Sequence, residues 1–214
     1  MVFISCRFIP PGSGRDKQHR VSVELRREML EGVVGGAEWE FAVREGGKPY
    51  VVGENITFSV SHTDGCVICA VSVPDASANT KYPTAPDVIC DEGVYRIGTF
   101  SRHGEIGCDT ELYNGQSNEH SSGKRAGLDA ERAGKIAERY FTEGEKREIN
   151  SSENSLESFY RIWTAKESIV KATGEGIKAL RSADSQVYHG RDTVSFLLQN
   201  GEYRFISAVT VIYG

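Results

Sequence analysis

Two stretches of helical periodicity, each followed by segments that alternate apolar and polar positions, organise the chain. From about His19 to Glu31 the run HRVSVELRREMLE places apolar residues at helical spacing and predicts an amphipathic helix. WEFAVRE, TFSVSH and VICAVSV follow as strand-like segments, the first two separated by GGKPYVVGEN. In the second half LESFYRIWTAKESIVKAT predicts a strong helix; DSQVYH, TVSFLLQ and YRFISAVTVIY then read as strands, with QNGE as a hairpin turn. The shared order predicts an α+β fold: a pseudo-twofold duplication of a helix-plus-three-strand unit, with residues 1–105 as the N-terminal half and 106–214 as the C-terminal half.

Two segments interrupt this plan. Pro74 to Glu105 is a long excursion rich in turn formers, counted as an insertion in the N-terminal half, and VYRIGTF within it suggests a short hairpin. Asn114 to Lys124, NGQSNEHSSGK, is a polar loop rich in Gly and Ser.

Composition narrows the class. A chain of 214 residues, 39% hydrophobic and 26% charged, has the balance of a soluble globular protein. A net charge of −5 gives no global attraction to nucleic acid or to an anionic membrane, so an anionic ligand needs a local basic cluster. The apolar stretch VFISCRFI is interrupted by Arg7 and too short for a signal peptide or a membrane span, and a cytoplasmic location is expected. Five cysteines, Cys6, Cys66, Cys69, Cys90 and Cys108, make a poor disulfide framework. Cys66 and Cys69 lie in a strand pattern without a second metal-binding pair, which predicts core packing.

Candidate chemistry begins at IGCDTE. On a strand, Asp109 and Glu111 share a face, and two carboxylates that close repel unless a cation joins them. A hard divalent ion takes oxygen ligands of this kind. On the second helix Ile162, Ala165 and Ile169 share an apolar face, while Thr164, Glu167 and Lys171 fall along an adjoining stripe. Glu167 and Lys171 are therefore either a surface ion pair or a third carboxylate beside a cation aimed at a phosphate. Thr142-Glu143-Gly144-Glu145 forms a capping box, which gives Glu145 a structural role at a helix start.

WTAKESIVK, preceded by RYFTEGE, IGCDTE and FSVSHTDG, resembles the signatures of the Sfp-type 4′-phosphopantetheinyl transferases over most of the chain from about His19 onward. The resemblance implies a fold of two fused copies of a smaller holo-acyl-carrier-protein synthase unit, in agreement with the duplicated plan. It implies a metal-dependent transferase, a holo-[acyl-carrier-protein] synthase, that moves 4′-phosphopantetheine from coenzyme A to a serine of an apo acyl or peptidyl carrier protein and releases 3′,5′-ADP. The ion would be Mg²⁺, with Mn²⁺ as an alternative, on Asp109, Glu111 and Glu167. Arg20, Lys48, Ser61, His62 and Lys171 would hold coenzyme A, and Glu167, Lys171 and Glu145 would carry the catalysis. In the family the acid at Glu145 lies near the metal, so catalysis and helix capping both stand for it. A monomer is expected, with neither nucleic acid nor membrane as partner. The alternative is a non-catalytic relative that binds carrier protein or nucleotide.

Overall fold

The computed structural model describes residues 1–36, 38–74, 81–100, 102–113, 130–187 and 191–213. In chain order the first elements are β1 (Val2–Phe8), α1 (Arg15–Val34), β2 (Phe41–Val43), β3 (Pro49–Val51), β4 (Thr57–Thr63), β5 (Cys66–Ser72), β6 (Val88–Ile89) and β7 (Gly93–Ile97). Then come β8 (Glu105–Leu112), α2 (Ala130–Tyr140), α3 (Glu143–Ser151), α4 (Ser155–Thr173), a 3₁₀ turn at Ile177–Arg181, β9 (Arg191–Asn200) and β10 (Tyr203–Ile212). These make a mixed α/β protein. One sheet runs β4-β5-β1-β7, the other β6-β9-β10-β8, and β2 and β3 form a separate ribbon.

The first sheet is buried on both faces, which explains its sequence. β1 and β5 read VFISCRF and CVICAVS, apolar at nearly every position. Phe3, Val67 and Val71 pack with Leu25 and Met29 of α1, while Val2, Ile4 and Ile68 share a second core with Ile106, Phe205 and Val209 of the other sheet. Each such burial contributes roughly 1.5–3 kcal/mol. Cys66 and Cys69 divide between these two cores, as core packing predicts, and burial pushes both thiols well above their ordinary range.

Several elements differ from expectation for physical reasons. VFISCRFI is the strand β1, paired antiparallel with both β5 and β7. VYRIGTF is no hairpin, because β7 ends at Ile97 and finds its partner in β1. WEFAVRE contributes only Phe41–Val43, and its partner Pro49–Val51 comes from the predicted connection. The described part of DSQVYH, 184–187, is a turn: the Ser185 N–H goes to Glu145 and the Gln186 N–H to Asp184, so side chains take the donors a strand would offer to a neighbour. Tyr188 and His189 of that segment lie outside the described residues, as do 114–124 and, within the insertion, 75–80 and 101.

The two predicted helices are present, and α4 is bounded as its sequence suggests. Asn154 accepts a bond from the Glu157 N–H at 3.1 Å, and Gly174 closes the other end at φ 74°, donating to Val170. QNGE is the turn between β9 and β10, with Gly201 at φ 59°.

Candidate functional site

The site forms where β4, β8 and α4 meet. β4 and β8 lie side by side across the sheet boundary: the Cys108 N–H donates to Ser59 Oγ at 3.0 Å and Thr57 Oγ1 to the Gly104 carbonyl at 2.6 Å. α4 comes down on β8 at Gly107, where any Cβ would lie 2.0 Å from the Ser168 carbonyl oxygen. That close approach brings Lys171 onto Asp109.

Lys171 Nζ donates to Asp109 Oδ1 at 2.7 Å and to Ser61 Oγ at 3.0 Å, and Ser61 Oγ donates to the same carboxylate oxygen at 2.8 Å. Asp109 Oδ2 is buried without a partner. Such an orphan oxygen is costly and is normally satisfied by a group that arrives. Glu111 follows on the same face of β8; burial, with Asp109 adding to it, pushes its carboxyl up to about 7, while a bond from Trp163 pulls the other way. Burial and then Asp109 likewise raise Glu167 above its ordinary value. Burial works against the charge on Lys171, but Asp109 more than offsets it and its pKa is raised.

Of these groups Lys171 and Glu167 line a cleft of about 460 Å³, a volume suited to a nucleotide-sized ligand. Glu167 and Lys171 line it from α4, His62 from β4 and Lys48 from the turn before β3. Its third wall is α1, through His19, Ser22 and Arg26.

The predicted residues separate into three groups. Asp109, Ser61 and Lys171 are bonded together, with Glu111 and Glu167 beside them and His62 on the cleft wall. Lys48 also lines the cleft, but it is not a free turn lysine: its side chain is 7% exposed and Nζ is spent on Glu105 and on the Ala172 carbonyl, each at 2.7 Å. Arg20 does not reach the cleft; it is exposed on α1, off the stripe that presents His19, Ser22 and Arg26. Glu145 is the helix cap. It completes the capping box with Thr142 at the start of α3, is fully buried, and has both oxygens engaged by Ser185, Thr142 and Lys166. His19 and Arg26 escaped the sequence analysis although their spacing within the predicted helix carried the signal.

Among the described residues no three Asp, Glu, His or Cys side chains are gathered tightly enough to enclose an ion. The donor set still fits a hard cation. Asp109 Oδ2 is unsatisfied, and Glu111 and Glu167 each feel the negative charge of Asp109.

Comparison with known proteins places the chain in a family. The 4′-phosphopantetheinyl transferase superfamily matches residues 105–211, which include β8 and α4. The 4′-phosphopantetheinyl transferase AcpT of Escherichia coli K12 is 34% identical over 97 residues, covering 44% of this chain and 42% of that protein. The protein of the same name from Salmonella typhi is 34% identical over 87 residues, covering 40% and 38%. The matches thus span less than half the length of these relatives. With half of its residues matched, and the acids and Lys171 inside that half, the chain belongs to the 4′-phosphopantetheinyl transferase superfamily.

Proposed function

We infer that the protein transfers 4′-phosphopantetheine from coenzyme A to a serine hydroxyl of an apo acyl or peptidyl carrier protein. The observation that carries this is Lys171, which lines a cleft of nucleotide size and bonds behind it to Ser61 and to Asp109, a carboxylate with one unsatisfied oxygen. Asp109, Glu111 and Glu167 would hold Mg²⁺ or Mn²⁺, which when bound neutralises charge on the pyrophosphate and lowers the barrier to its departure.

The chain's own residues supply the rest. Lys171 offsets the negative charge that builds on the leaving pyrophosphate oxygen, and Ser61, already hydrogen-bonded to it, fixes where its ammonium group points. Glu167, partly exposed on the cleft, accepts the proton of the attacking serine hydroxyl. The serine oxygen forms a bond to the β-phosphorus of coenzyme A, the bond from that phosphorus to the bridging oxygen breaks, and 3′,5′-ADP leaves. With Glu145 saturated in its cap, Glu167 is the base.

The duplicated plan belongs to the same reading. It is supported by one long helix on each four-stranded sheet, α1 on the first and α4 on the second, with the boundary between halves near the start of β8. No helix among the described residues is long and apolar enough to cross a membrane; a monomer acting in the cytoplasm is the setting we infer. Mass spectrometry of an apo carrier protein incubated with this protein, coenzyme A and Mg²⁺ tests the reading. A gain of one phosphopantetheine group is expected, and an unchanged mass across a panel of acyl and peptidyl carrier proteins refutes it.

A further inference from the structure

Glu105, the first residue of β8, does not line the cleft, yet it meets two cations that belong to one short turn of the cleft wall. Its Oε1 accepts from Arg44 at 2.7 Å and its Oε2 from Lys48 Nζ at 2.7 Å. That turn, residues 44–48, joins β2 to β3 and is closed by the Arg44 N–H on the Lys48 carbonyl and the Gly47 N–H on the Arg44 carbonyl. Glu105 itself is rigidly framed: it pairs with Ile212 of β10, and the carbonyl of Gly104 before it takes the Thr57 hydroxyl at 2.6 Å. The ribbon has no such frame of its own, since two strands alone are marginally stable in water.

The turn is seated on the end of α4. Gly46 lies against the Gly174 carbonyl, and Lys48 Nζ donates to the carbonyl of Ala172, the residue after Lys171, at 2.7 Å. Gly46, Gly47 and Lys48 then line the cleft together with Lys171 and Gly174. Burial opposes the charge on Lys48, and Glu105 offsets part of that cost. Without the Glu105 charge, Arg44 and Lys48 lose their shared anion, and the Lys48 ammonium is left buried on a neutral carbonyl. We propose that Glu105 is a positioning residue: by tying Arg44 and Lys48 to β8 it holds the 44–48 turn as a wall of the cleft, and so sets how tightly coenzyme A is held without taking part in the bond exchange. This rests on the cleft being the coenzyme A site.

Two measurements on the wild type, Glu105→Gln and Arg44→Gln test the proposal: transfer kinetics with coenzyme A varied at saturating apo carrier protein, and backbone hydrogen exchange over residues 41–51 in the free protein. In Glu105→Gln the amide keeps the shape, loses the charge and turns a donor toward one of the cations. Exchange over 41–51 is expected to quicken, and KM for coenzyme A to rise about tenfold with kcat within about twofold of wild type, the pattern of lost binding with the chemical step intact. Arg44→Gln, which removes an exposed partner and leaves Lys48 paired, should move both readouts the same way by less; if Glu105→Gln does not fold, this variant decides by the same criteria. Faster exchange with an unchanged KM overturns the proposal and leaves Glu105 as a structural tie alone. Unchanged exchange, or a fall in kcat at constant KM, overturns it as well. Turnover by the wild type that Glu105→Gln does not alter refutes the proposal while sparing the coenzyme A reading, whereas absence of turnover in the wild type refutes both.

Discussion

Lys166 and Lys171 stand on one helix and each meets a carboxylate, yet the two pairs are built to opposite specifications. Lys166 and Glu145 are both fully buried, 2.9 Å apart, and every surrounding acceptor is used: the Glu145 oxygens take the Ser185 and Thr142 N–H groups and the Ser185 hydroxyl, and Lys166 also donates to the Ala183 carbonyl. Lys171 and Asp109 are 2.7 Å apart at the edge of the cleft, with the lysine side chain 32% exposed and one aspartate oxygen left over. A saturated pair has no bonding capacity for a substrate; an unsaturated one beside a cleft does. The same helix therefore uses one lysine to fasten α3 and the turn at 184–187 to itself, and leaves the other on the cleft.

The largest effect expected from breaking this contrast is on stability. Lys166→Ala leaves the Glu145 carboxylate buried without its cation and should cost about 3–5 kcal/mol, measured by denaturant unfolding. Replacing both partners by apolar residues of similar volume should recover most of that loss. Burial pushes the Glu145 carboxyl up, but the bonds from Ser185, Thr142 and Lys166 more than offset this, so its pKa lies below the ordinary 4.5. A depressed carboxylate stabilises the fold above its unfolded pKa, and that contribution disappears as pH falls through the folded value. Glu145→Gln should accordingly flatten the acid limb of stability below about pH 4.5.

The open pair should respond in activity instead. Asp109→Ala is expected to lower carrier-protein modification by about a hundredfold or more with the fold retained, because it removes the carboxylate that Lys171 and Ser61 share. Circular dichroism checks the fold. Wild-type turnover by this variant at ordinary Mg²⁺ would dissolve the contrast from the active side. Lys171→Ala should reduce kcat/KM by about tenfold, the effect of losing roughly 1.4 kcal/mol of stabilisation at the departing pyrophosphate. A rate within about twofold of wild type would make Lys171 as structural as Lys166.

Much of this was legible because it depends on local spacing. Alternation puts Asp109 and Glu111 on one face of β8 wherever the strand goes, the capping box names Thr142 and Glu145 together, and Gly174 ends α4 as its sequence indicates. What escaped depends on long-range packing. β1 is buried on both faces, so it lacks the alternation that announces a strand. Lys48, in a turn that locally favours exposure, is enclosed because Gly46 abuts the Gly174 carbonyl, where a Cβ would lie 1.8 Å away, and because Glu105 and the Ala172 carbonyl converge on its Nζ. Arg20 and Arg26 belong to the same predicted helix, and only the direction from which the cleft meets α1 selects Arg26. Glu145 has two readings in the sequence; the structure shows the cap, together with a buried partner, Lys166, that no local spacing announces.

The central claim is that the cleft takes coenzyme A at the Asp109 and Lys171 end with help from a divalent cation. Calorimetric titration of coenzyme A into the wild-type protein and into Asp109→Ala, each with and without Mg²⁺, tests it most directly. Saturable binding that Mg²⁺ tightens in the wild type, and that loses its Mg²⁺ dependence in Asp109→Ala, is the predicted result. Absence of binding in the wild type, or the same Mg²⁺ dependence in both proteins, would contradict it.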